Sequence, residues 1–202
     1  AEQTTLERPG FLSKDGLTAA EMGTALHAFL EHADFGALAA VRDAEDDAVL
    51  AAVRAERERQ AAAQLTPPAI AGKLDVYKIL RFVRSEAFRR ICGAEDVLRE
   101  LAFITSLPAA EVMAAQGRAL PDGSAADAGV LVQGIADIVL IYPDHLELLD
   151  YKTDRRKTPA DFVRAYRAQL ELYARAIDKR FAPRRVTYKG IYSLELGKLI
   201  QV

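Results

Sequence analysis

The chain has 202 residues, half of them hydrophobic and 28% charged, an ordinary globular balance with length enough to enclose a core. Its 27 basic and 29 acidic residues leave a net charge of −2, so nucleic acid cannot be held by bulk positive charge and would need a local patch. No apolar run reaches the roughly 18 residues of a membrane span, and the lone Cys92 excludes an internal disulfide or a multi-cysteine zinc or iron–sulfur site.

The first half reads as helical. Thr18 and Glu21 form a Thr-x-x-Glu capping box, and Met22, Leu26, Phe29, Leu30 and Ala33 follow at helical spacing as a core-facing stripe. A second helix is expected from Asp43 to Ala63, with acids at its start and Thr66-Pro67-Pro68 ending it. A third spans Asp75 to Ile91, with a break near Ser85, Gly93 as its C-terminal cap and Cys92 as a packing residue.

Strand patterning then takes over. Val97 to Leu107 reads as a strand, and Pro108 to Gly129, rich in Ala, Gly and Pro, as a long irregular connection. Val130 to Tyr142 and Leu146 to Tyr151 form a hairpin about Pro143-Asp144. Thr158-Pro159 opens a helix that runs to Lys179 and carries the stripe Tyr166, Leu170, Tyr173 and Ile177. Val186 to Leu194 and Leu199 to Val202 close the chain as strands. The expected fold is α/β, a mixed central sheet flanked by helices with a helical N-terminal half. It forms a single domain over 1–202, of which 18–93 is the helical part and 97–202 the sheet core with its hairpin and bracing helix. The P-loop pattern is absent, so no ATP site of that kind is expected. Three basic clusters (Arg81, Arg84, Arg89, Arg90; Lys152, Arg155, Arg156, Lys157; Lys179, Arg180, Arg184, Arg185) are candidate patches for an anion or solvated faces.

The chemistry concentrates in Gly134-Ile135-Ala136-Asp137 and, thirteen positions after its aspartate, Asp150-Tyr151-Lys152-Thr153-Asp154. Adjacent antiparallel strands can bring Asp137 and Asp150 together at one end of the hairpin. Two converging carboxylates repel unless a cation lies between them, and such hard oxygen donors suit Mg²⁺ or Mn²⁺. Alternation along the strand puts Lys152 on the face of Asp150. A metal that polarises a phosphoryl oxygen, beside a lysine that orients water or stabilises developing negative charge, fits phosphodiester hydrolysis.

These motifs resemble those of RecB-type nucleases of the PD-(D/E)XK family, and within it the C-terminal nuclease domains of AddA-type helicase–nucleases. Gly23-Thr24-Ala25-Leu26-His27 is similar to the family's G-T-x-x-H helix, Glu100-Leu101-Ala102-Phe103 to its E-x-x-F strand, and Gln169 to Tyr173 to its Q-x-x-x-Y helix. The resemblance implies a restriction-endonuclease-like core, with His27, Asp137, Asp150 and the Tyr151 carbonyl as metal ligands and Lys152 as the catalytic lysine. Glu100 would support the site, and Gln169 and Tyr173, sharing a helix face, would brace it or touch DNA. His27 lies with Gly23, Thr24 and Glu31 opposite the apolar stripe, and Gly23 removes bulk beside the imidazole. His32 and His145 match no motif and are expected at the surface.

The implied activity is Mg²⁺-dependent DNA hydrolysis, of exonuclease type, with Mn²⁺ as a substitute and no iron–sulfur cluster. The implied partners are a DNA single strand delivered by helicase domains of the same polypeptide, and an AddB-like protein. The role would be processing of double-strand DNA ends for recombinational repair in the cytoplasm. The start at Ala1 fits a piece of a longer polypeptide. Two other readings stay open: a RecB-like exonuclease acting alone, and a catalytically silent module that only binds DNA or a partner.

Overall fold

Caps and acidic first turns set where the helices begin. In a computed structural model, which describes residues 19–66 and 74–202, α1 is Ala19–His32, α2 Phe35–Ala40 and α3 Asp46–Ala62; α4 is Val76–Val83 and α5 Glu86–Gly93. The Asp34 carboxylate accepts from Ala37 N–H, Asp75 from Tyr77 and Lys78, and the Ser85 hydroxyl from Phe88, each meeting a donor left open at a helix start. Ser85 therefore divides the expected 75–91 helix where its sequence suggested a break. Three details differ from expectation. The 43–63 helix starts later, at Asp46, and the short α2 precedes it, made possible by its Asp34 cap. Gly93 is the last helical residue rather than a left-handed cap, because the extended Ala94 follows directly. Cys92 is exposed and packs nothing. The Thr18–Glu21 box, the Met22 side chain and Pro67-Pro68 lie outside the described residues.

The sheet has the order β1-β2-β3-β4-β5, with β1 Asp96–Pro108, β2 Gly129–Ile141, β3 Leu146–Lys152, β4 Val186–Ser193 and β5 Lys198–Gln201. Neighbours are antiparallel except β3 and β4, which run parallel. That parallel pair requires a long crossover, supplied by α7, Pro159–Arg180, whose start is locked by the reciprocal Thr158–Asp161 capping box. The expected irregular stretch 108–129 contains a short helix, α6, Ala109–Ala115, capped by Pro108; its Ala-rich sequence is a good helix former, which the Gly and Pro content of the later residues obscured.

Helices cover both faces. One core joins α1 to α5 to Ile138, Leu140, Leu149, Tyr151 and Tyr192; the other joins α7 to Phe103, Ala136, Val139, Leu148 and Ile191. Each fully buried Leu, Ile or Phe contributes about 1.5–3 kcal/mol. Among the described residues, no helix is long and apolar enough to cross a membrane. Much of the basic charge is used internally: Arg84 holds the Arg42 carbonyl and Asp46, Arg90 holds Glu86 and Glu147, and Lys179 and Arg180 hold carbonyls of β1. Those members of the clusters are structural ties. His145 is also more enclosed than expected, stacked on Tyr142 and bonded to Asp144.

The position of α1 is fixed at its C-terminal end, where the last carbonyls of a helix lack intrahelical partners. Gln60 donates to the Phe29 carbonyl (3.0 Å), Arg59 to His32 (2.8 Å), and Arg99 to Leu30 and Ala33 (3.3 and 2.6 Å) while stacking on Phe35. Arg99→Ala is expected to lower unfolding free energy in urea by about 1–3 kcal/mol, the loss of charged hydrogen bonds; an unchanged midpoint would mean that the buried face of α1 alone holds it.

Candidate metal centre and active site

The site arises where the sheet departs from regularity. The β2–β3 ladder ends at Ile138–Leu149, although β2 continues against β1 and β3 against β4. In the gap so opened, the Asp137 carboxylate accepts the hydrogen bond of Tyr151 N–H at 2.7 Å. Beyond it, β3 keeps its alternation: Tyr151 packs with the α1–α5 core, whereas Asp150 and Lys152 follow Leu148 onto the α7 side.

A second irregularity faces the first. On β1, Arg99 lies on the α1 side, while Leu101 and Phe103 face α7, as does Leu98. On β2, Ala136 faces α7, and so do Val139 and Ile141, while Ile138 faces α1. Both strands thus exchange faces at the same level, and the register on either side is undisturbed, Arg99 opposite Ile138 and Leu101 opposite Ala136. The residues at the exchange are Glu100 and Asp137. Glu100 takes a left-handed backbone with φ 46°, costly by about 1–3 kcal/mol for a residue with a side chain.

The result is convergence. His27 Nδ1 lies 3.7 Å from Glu100 Oε1 and 3.7 Å from Asp137 Oδ2, and ligand atoms of the three residues fall within 4.8 Å of one another. Beside them Lys152 Nζ forms an ion pair with the buried Asp150. The His27 ring meets Tyr151 edge-on, 5.9 Å between centroids. Of the residues singled out in the sequence, His27, Glu100, Asp137, Asp150, Tyr151 and Lys152 come together. Gln169 and Tyr173 stand apart on α7 and make no hydrogen bond to the carboxylates. Tyr173 instead packs on Phe103, 4.9 Å between rings.

Two motif glycines have a steric explanation. A Cβ on Gly134 would meet the Tyr173 hydroxyl at 2.6 Å and the Phe103 ring at 2.9 Å, and one on Gly23 would meet Thr153 Oγ1 at 2.9 Å. Gly134 therefore lets α7 lie close against β2, and Gly23 lets α1 approach the end of β3 closely enough to deliver His27.

Comparison with known proteins agrees with this geometry. Residues 4–198 match the model of the PD-(D/E)XK nuclease superfamily. The chain belongs to that superfamily. Among PD-(D/E)XK relatives, the AddA-type ATP-dependent helicase/nuclease of Moorella thermoacetica is 37% identical over 97% of this chain, and that of Pelotomaculum thermopropionicum 36% over 96%. That of Ruminiclostridium cellulolyticum is 31% identical over 98%. The chain spans only 13–15% of the length of these relatives.

The electrostatics of this PD-(D/E)XK site suit a divalent cation. Burial raises the Asp137 carboxyl to about 6, with repulsion from Asp150 adding to it against the opposing pull of His27, the Tyr151 N–H and Lys152. Burial also raises Asp150, although Lys152 counters it. For His27 and Lys152 burial works against the charged form, but the carboxylates beside each outweigh it and both are raised. Three carboxylates and one ammonium, with a neutral imidazole, leave a charge of −2 that one divalent ion cancels. The oxygen and nitrogen donors are those such an ion takes. The donor set therefore fits the metal that the family resemblance implies.

A neutral Asp137 is thus favoured in the metal-free protein. Since its folded value exceeds that of the unfolded chain, stability is fullest below pH 4 and falls as pH rises through about 6. Asp137→Asn mimics the neutral acid and keeps an acceptor for Tyr151. It should raise metal-free stability at pH 8 by up to about 3 kcal/mol and leave it unchanged at pH 5, measured by urea unfolding in chelator; equal effects at both pH values would contradict the site's electrostatics.

Proposed function

We propose that the chain is the nuclease module of an AddA-type helicase–nuclease, hydrolysing DNA phosphodiester bonds with Mg²⁺, for which Mn²⁺ substitutes. The observation that carries this reading is the meeting of His27, Glu100 and Asp137 beside the Asp150–Lys152 pair. His27 as a neutral imidazole, Asp137, Asp150 and the Tyr151 carbonyl would hold the ion. The carbonyl is a reasonable donor because the Tyr151 N–H already faces the gap, and both polar groups of a strand residue point the same way. When bound, the ion supplies Lewis acidity toward a phosphoryl oxygen and lowers the pKa of water.

The protein's own groups supply the rest. Lys152, kept charged by Asp150, orients the attacking water and stabilises negative charge that develops on the phosphoryl oxygens. Glu100 accepts a hydrogen bond from water at the edge of the site, and Gln169 and Tyr173 contact the DNA backbone. The substrate is a single strand, cut as an exonuclease cuts it, delivered by helicase domains of the same polypeptide. With an AddB-like partner, the assembly would process double-strand ends for recombinational repair in the cytoplasm. The relatives' joint name, helicase/nuclease, supports this arrangement.

The test is Mn²⁺-dependent nicking of plasmid and oligonucleotide DNA. Asp150→Ala should lose both Mn²⁺ binding by calorimetry and cleavage. Lys152→Ala should keep Mn²⁺ affinity within a few-fold yet lose about 100-fold or more in turnover. Wild-type cleavage no greater than that of the variants would point to a silent DNA- or partner-binding module instead.

A further inference from the structure

Beside the proposed centre stands a polar group to which the reaction as described assigns nothing. After β3 the chain passes Thr153 and reaches Asp154, which accepts the hydrogen bond of the Tyr166 hydroxyl from α7, 2.8 Å to Oδ2 and 3.0 Å to Oδ1. Lys157 Nζ pairs with Asp154 Oδ1 at 2.7 Å and donates to the same hydroxyl at 3.2 Å. Phe162, one turn earlier on α7, lies 6.2 Å from the Tyr166 ring and is itself fully buried. The tyrosine is therefore gripped at its hydroxyl and backed along its helix.

What that ring faces is the lysine of the site. Lys152 Nζ lies 4.8 Å from the Tyr166 ring centroid, within cation–π range, while its charge partner on the other side is Asp150. A lysine ammonium on four rotatable carbons gives up considerable freedom to stay in one place. One carboxylate fixes its distance to a point and leaves a swing about it; a ring on a second side removes that swing.

We propose that Tyr166, anchored by Asp154 and Lys157, is a positioning residue that holds the Lys152 ammonium against Asp150 and aims it into the gap between β2 and β3. The catalytic consequence rests on the nuclease reading above. The contact itself does not, so the two can fail separately.

In the 202-residue chain, Lys152 acylation by an amine-reactive ester, followed by peptide mass spectrometry in chelator, reports the contact directly. Tyr166→Leu should raise the rate at Lys152 about 3- to 30-fold, the worth of a partly desolvated cation–π contact, while Tyr166→Phe, which keeps the ring, stays within about twofold of wild type. With Mn²⁺ and single-stranded DNA, Tyr166→Leu should lower kcat about 10- to 100-fold, as small misplacements of a catalytic group do. KM, Mn²⁺ affinity and Tm should remain near wild type. In a Lys152→Ala background the same substitution should cost nothing further, because residues acting through one another are not additive. The assignment is overturned if Lys152 labelling is the same in Tyr166→Leu and wild type, if KM rises while kcat holds, or if the kcat loss persists without Lys152. Should Lys152→Ala itself turn over like wild type, the nuclease reading fails while the labelling result still decides the contact.

Discussion

Three carboxylates, those of Glu100, Asp137 and Asp150, are drawn into one largely enclosed gap in the sheet with an imidazole among them, and this crowding governs the rest of the structure. Like charges at such range in a desolvated setting oppose one another strongly. In the metal-free protein the strain is relieved by protons and by His27 and Lys152, each raised by the acids beside it. A divalent cation offers a fuller remedy, since it meets the whole residual charge at once and asks only that the imidazole be neutral. The site is therefore built to prefer an ion over protons as the solution approaches neutrality.

The fold reaches this arrangement through local sacrifices. Glu100 adopts a left-handed backbone that a side-chain-bearing residue otherwise avoids, β1 and β2 exchange faces together at Glu100 and Asp137, and the β2–β3 ladder stops short. Gly23 and Gly134 give up side chains so that α1 and α7 can lie close on opposite sides. Meanwhile the surroundings are firmly tied, with four C-terminal carbonyls of the α1 end taken by Arg59, Gln60 and Arg99. A rigid frame around a strained centre is the usual compromise of a catalytic site.

Much of this was legible in the sequence because it follows from local rules. The hairpin, the Pro159 helix start and the alternation that pairs Lys152 with Asp150 needed only turn chemistry and period-2 spacing. His27 and Glu100 could be named only through the family's motif order, since nothing in their own surroundings says that an N-terminal helix folds onto β1 and β2. The exchange of faces at Glu100 and Asp137 is invisible to pattern reading, because strict alternation would carry Asp137 to the face of Val139 and Glu100 to that of Leu98. The short α2 and α6 were hidden for a different reason: at six and seven residues they are too brief for a periodic signal and depend on Asp34 and Pro108 at their starts. Tyr166 read as one more member of a helical stripe, and only the turn after β3 brings Asp154 and Lys157 to its hydroxyl.

The most direct test of the central claim is anomalous diffraction from crystals of this chain soaked in Mn²⁺ near neutral pH. The account requires a peak in the β2–β3 gap with His27 nitrogen and oxygens of Asp137 and Asp150 at about 2.0–2.3 Å, with Lys152 Nζ alongside but not coordinating. A gap free of anomalous density at saturating Mn²⁺, or an ion bound with His27 turned away from both aspartates, would contradict it.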